Sequence, residues 1–131
     1  MLVSLITAED PATRDRSLEE ACVALDTGSL LQECSALDAF RRTSKNLYHR
    51  VRAIFFLQAI HRFHLPGKLP ASDTGSIPFD GYKNLLGRNF EEAIEVFLKV
   101  QNREGPSDGI CSALASAYHQ LAFQTLADQV R

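Results

Sequence analysis

Arg41, Lys45, His49 and Arg52 recur at intervals of three and four residues. Residues at that spacing share one face of an α-helix, so the four make a cationic strip. Such a strip can receive a phosphate, an acidic protein segment or a nucleic acid. It lies in a basic block: residues 39–72 hold seven Lys and Arg and no Asp or Glu. The flanks are acidic, with net charge −6 over residues 1–38 and −3 over 73–131. A second reading is therefore open, in which the central basic helices pair with the acidic outer thirds of the same chain, through surface ion pairs each worth little. The whole chain carries a net charge of −2, whereas nucleic-acid-binding domains are usually basic, which ranks nucleic acid last among the partners.

Other chemistry-bearing residues give weaker patterns. His61 and His64 are three apart, a spacing that can hold two metal ligands. The third ligand and the glutamate of a zinc-protease helix are missing, and a polar helix end ahead of Pro66 accounts for both imidazoles. Cys22, Cys34 and Cys111 are odd in number and widely spaced, so they read as small buried residues and not as a disulfide or metal framework. Glu91 and Glu92 open a helix, where carboxylates complement the positive end of the dipole. Tyr118 reads as a core residue beside an exposed His119. Neither a Gly-x-Ser-x-Gly elbow, a paired-carboxylate site nor a glycine-rich phosphate loop is present. No catalytic signature emerges, and no cofactor or metal is expected.

The elements that must position these residues are helical. Ser17 and Glu20 have capping-box spacing, with Gly28 as the expected stop. A second helix is expected over 29–42 and a third over 45–64, the most apolar segment, ended by Pro66 and Gly67. Residues 65–80, with three prolines and two glycines, read as the one long loop and as a point where two helical subdomains could divide. Short helix 82–86, helix 90–100 and a last helix capped by Ser107 or Asp108 come after it. No stretch alternates with period two, so the fold class is all-α: five or six helices in antiparallel pairs, as a helical array or bundle. The 131 residues suit a single domain. The last helix shows no stop signal before Arg131, which leaves open a longer parent protein.

The stretch Asn89-Phe90-Glu91-Glu92-Ala93-Ile94-Glu95-Val96-Phe97-Leu98-Lys99-Val100 resembles the second helix of a tetratricopeptide repeat, with Phe90, Ala93, Phe97 and Val100 on its aromatic and small positions. Leu114-Ala115-Ser116-Ala117-Tyr118 resembles the first helix of a following unit. The resemblance covers residues 82–123, about one and a half units, and stable arrays need about three. It implies a surface for a peptide or protein partner.

The expectation is thus a helical protein-interaction or scaffolding domain, with Arg41, Lys45, His49 and Arg52 as its contact face. The alternative is binding of a phosphorylated small ligand by segment 41–68, within an enzyme or a regulator. No apolar run nears the roughly 20 residues that cross a bilayer. Met1–Ile6 lacks the basic flank of a secretory signal, so the expected location is cytoplasmic and the membrane is not an expected partner.

Overall fold

The computed structural model describes residues 2–7, 18–68 and 79–130. Seven α-helices account for most of them: α1 (Leu2–Thr7), α2 (Leu18–Val23), α3 (Thr27–Thr43), α4 (Leu47–Ala59), α5 (Phe79–Leu86), α6 (Phe90–Glu104) and α7 (Asp108–Val130). A π-helical turn, Ile60–His64, extends α4, and a 3-10 turn, Pro66–Lys68, comes next. There is no strand among the described residues. None of the helices is long and apolar enough to cross a membrane.

Local side-chain chemistry sets the helix boundaries. The Asp26 carboxylate accepts the Ser29 N–H at 2.7 Å and starts α3. Asn46 does the same for α4 through His49 N–H, and Ser107 for α7 through Ile110 N–H. Gly28, expected as a stop, instead lies in the first turn of α3, because the Asp26 cap fixes the start two residues earlier. The helix expected over 82–86 ends at Leu86, as α5 does, but the left-handed residue after it is not Gly87. Arg88 takes the left-handed conformation (φ 64°), and Asn89 N–H reaches back to Asn84 C=O at 2.8 Å, satisfying a terminal carbonyl of α5. At the end of α6, Gly105 adopts φ 85° as its N–H closes on Gln101 C=O. The expected Ser17 cap and most of the expected 65–80 loop lie outside the described residues. The described parts of that loop are helical at both ends.

Three-residue connections turn α3 into α4 and α6 into α7, and each pair packs along its length. The longest helix, α7, joins the two pairs, packing on α4 as well as on its partner α6. Its first four turns are apolar nearly all round. Ile110, Leu114, Ala117 and Tyr118 are buried, and small residues on the same helix let neighbours approach. Phe90, Ala93, Ile94 and Phe97 form the buried stripe of α6. These are the residues that resemble the repeat, but α5 ahead of them has only eight residues. Glu33 accepts the Leu2 backbone N–H at 2.8 Å and holds α1 on α3. All three cysteines are buried thiols.

Close approach has a specific requirement at Gly81. A Cβ there would overlap the ring of Phe97, which is fully buried. Gly81→Ala is therefore expected to destabilise the fold by about 1–3 kcal/mol through overpacking, even though alanine has the higher helix propensity. Urea unfolding measures this, and an unchanged midpoint would show that α5 does not need the contact.

Candidate functional site

Asp38 is the hub of a buried polar cluster. One of its oxygens accepts Arg41 Nε at 2.8 Å and the Tyr118 hydroxyl at 2.9 Å, and the other accepts Arg42 Nε at 2.8 Å. The Arg41 fork then grips Glu91, with both guanidinium nitrogens 2.9 Å from its carboxylate oxygens. Arg41 also lies over the Tyr118 ring, 5.6 Å from its centroid. The cluster ties α3 to the start of α6 and the middle of α7. Its two guanidinium and two carboxylate charges cancel.

Electrostatics hold Asp38, Arg41 and Tyr118 each in one protonation state. Burial pushes the Asp38 carboxyl up, but Arg41 and Arg42 outweigh it and hold it below its ordinary value. Burial tends to lower the Arg41 pKa, and the Glu91 hydrogen bonds and the Asp38 charge raise it beyond the ordinary guanidinium value. Burial, then the Asp38 charge, keeps Tyr118 protonated. A carboxylate that already accepts three hydrogen bonds and a phenol whose proton is committed to it offer no free proton to a substrate. The cluster braces the fold.

This arrangement breaks up the expected cationic strip. Arg41 is 3% exposed and points inward, while Lys45 is exposed. His49 is half-buried, its ring near those of Phe40 and Tyr48 at 6.2 and 6.1 Å. Arg52 is half-buried with its guanidinium 5.3 Å from the Phe56 ring centroid. Arg41 and Lys45 therefore do not share one exposed face. Arg41 and Arg42 could have been paired with Asp38 from sequence, since they stand three and four residues beyond it. Glu91 and Tyr118 carry no such signal.

The π turn holds the other concentration of chemistry. Its closing bond runs from Leu65 N–H to Ile60 C=O at 2.7 Å, five residues apart. π turns of this kind often mark functional sites. Pro66 suits the spot, since its ring would collide with the Arg62 carbonyl if an α-helix continued. His61, expected at a polar helix end, is fully buried, with its ring 5.8 Å from that of Tyr118. Its Nδ1 donates to Leu57 C=O at 2.9 Å, so Nε2 presents a lone pair, and that atom has no partner among the described residues. Burial pulls the imidazole down to about 4, against the opposing effects of the Leu57 hydrogen bond and the Asp38 charge.

Two concavities flank this segment. One, about 240 Å³, is lined by Cys22, Val23, Phe63, His64 and Lys68. The other, about 160 Å³, is lined by His61, Arg62, Pro66 and Ser112. A third concavity of about 280 Å³ lies beside the Asp38 cluster, between α3 and α6, with the buried Gln101 amide and Arg42 in its wall. The described residues hold no group of three or more His, Cys, Asp and Glu placed to bind a metal ion. No protein-family model matches the chain, and no curated protein or solved structure is significantly similar to it.

Removing one partner from the buried cluster leaves a charge without compensation. Arg41→Ala is expected to cost roughly 3 kcal/mol, and Lys45→Ala less than about 0.5 kcal/mol. Chemical denaturation of the two variants checks the contrast, and equal costs would show that the cluster is not a brace. The buried neutral His61 adds a pH dependence. Its folded pKa lies below its ordinary 6.5, so the unfolded chain binds the extra proton first and stability falls as pH drops from about 6.5 towards about 4. The loss should be on the order of 3 kcal/mol. His61→Leu should flatten the profile between pH 6.5 and 5, above the range where Asp38 contributes. An unchanged slope would assign the acid sensitivity elsewhere.

Proposed function

We propose that this chain is a helical protein-interaction domain whose contact surface is the concavity beside the π turn. The observation that carries the reading is the exposure of Val23 (72%) and Phe63 (68%) in the wall of one concavity. Two large apolar side chains left in water at the same hollow cost hydration free energy in the isolated chain, and their burial by a partner recovers it. Lys68 and His64 stand at the same hollow, within the block of residues 39–72 that has no acidic side chain. The partner that fits is a protein segment with a bulky apolar side chain next to one or more carboxylates.

The interaction class is the one expected from sequence, on a relocated surface. Arg41 is engaged within the fold, so a charge-reversed Arg41 would test stability more than binding. Lys45, exposed in the connection between α3 and α4, stays available for a peripheral electrostatic contribution. Rim charges of that kind act mainly on association rate and salt dependence.

Selection of a random peptide library on the folded chain tests the proposal. The enriched sequences should pair a large apolar residue with Asp or Glu. Phe63→Ser and Val23→Ser should each weaken the selected peptides at least tenfold without lowering the unfolding midpoint, because both side chains are exposed. Lys68→Glu should weaken them further at low salt. Peptides that bind the Phe63→Ser variant as well as the parent, or no enrichment at all, would falsify this surface as the interface.

A further inference from the structure

The large apolar side chains left in solvent are not scattered evenly. Tyr48 (61% exposed), Phe55 (38%) and Phe63 (68%) follow one another along α4 and the π turn. With Arg52 and Ala59 between them, they fall at i, i+4, i+7, i+11 and i+15, the spacing of one helix face. Ala53, Ile54 and Leu57, which are buried, belong to the opposite side. The stripe is therefore the outer face of α4 and its extension, about 22 Å long or four turns. Its last member, Phe63, also stands in the wall of the hollow that Val23 and Lys68 help to line.

Charge restricts what can cover this face. Half-buried Arg52 sits in mid-stripe, exposed Lys45 precedes Tyr48, and half-buried Lys68 comes after Phe63. Residues 39–72 hold no Asp or Glu, so the segment that builds the face carries cations and no acid, and an acidic partner complements it. Tyrosine and arginine are also the side chains that most often anchor interfaces. By contrast, exposed Phe123 and Leu126 on α7 lie in a run, residues 109–127, with no Lys, Arg, Asp or Glu, and nothing there selects an occupant.

Shape narrows the partner further. An extended segment gains affinity by pairing its backbone with a sheet edge, and the backbone of α4 is closed by its own helical hydrogen bonds. A helix needs only side chains at three- and four-residue spacing, and it can lie against α4 over several turns. Ala59, small and half-buried, leaves room there for a bulky side chain.

We infer that the partner is an acidic amphipathic helix that lies along Tyr48, Arg52, Phe55 and Ala59 and seats an apolar side chain beside Phe63 in the hollow. This rests on the reading of that hollow as the contact surface, and extends it along α4.

The probe is a library of helix-forming peptides about five turns long, randomised at surface positions and selected on the full folded chain. Enriched peptides should carry apolar residues at three- and four-residue spacing, flanked by Asp and Glu. A proline at the centre of a selected peptide should weaken it at least tenfold, because it breaks the helix. Tyr48→Ser and Phe55→Ser should each weaken binding at least fivefold, and Tyr48→Ser should leave the unfolding midpoint unchanged. Lys45→Glu should weaken it a few-fold at low salt and little at high salt. If Phe63→Ser weakens the peptides but Tyr48→Ser and Phe55→Ser do not, the hollow stands and the helix along α4 is overturned. Peptides that tolerate the central proline, or enrichment of neutral or basic helices, would overturn it too. Sensitivity to Tyr48→Ser without sensitivity to Phe63→Ser would support the α4 face and sink the hollow. A dimer in sedimentation that Tyr48→Ser dissociates would hand the face to a second copy of this chain and overturn the inference.

Discussion

The Asp38 carboxylate is the point at which polar side chains tie α3 to α6 and α7. It is buried on α3, accepts three hydrogen bonds and draws in side chains from α3 and α7 directly, and from α6 through Arg41. An apolar interface tolerates small slides between helices. Four charges and a phenol joined at 2.8–2.9 Å tolerate it less, because a displacement strips partners from the buried Asp38, Arg41 or Tyr118. The apolar stripes of α6 and α7 supply the driving force for association, while this cluster selects the relative placement of the helices. It also sets the environment of His61, whose ring lies against the Tyr118 that Asp38 holds.

Much of the helical architecture was legible along the chain. The stripes Ala93, Ile94, Phe97 and Ile110, Leu114, Ala117 mark α6 and α7 by their spacing alone, and both stripes are buried. Boundaries were less legible where two signals compete. Gly28 has the chemistry of a stop, but Asp26 three residues before Ser29 is a stronger start, since a carboxylate bonded to a free backbone N–H outweighs a merely permissive residue. The chain's turn at Arg88, in place of the neighbouring glycine, stems from backbone hydrogen bonding that residue identity does not announce.

The candidate site was legible in composition and not in geometry. The basic block is real, but helical spacing does not carry from Arg41 to Lys45, because α3 ends at Thr43 and Lys45 lies in the extended connection to α4. Which of them points inward depends on Glu91 and Tyr118, respectively 50 and 77 positions beyond Arg41, and no local pattern encodes that meeting. His61 illustrates the reverse. An imidazole just before a proline suggests a solvated helix end, and only packing against α7 turns it into a buried acceptor. Phe63, which continues an apolar spacing, is left outside because α7 covers the other side of the turn.

The π turn has a consequence for how such a surface comes about. Its five-residue closure is the shape a helix adopts when it takes in one extra residue while its flanks keep their partners. Each added residue rotates the downstream side chains by about 100° around the axis. A single inserted codon within α4 therefore suffices to turn every later side chain of the segment to a new face without building a new loop. A single deleted codon would return the segment to an ordinary helix, so the feature is as easily lost in evolution as gained.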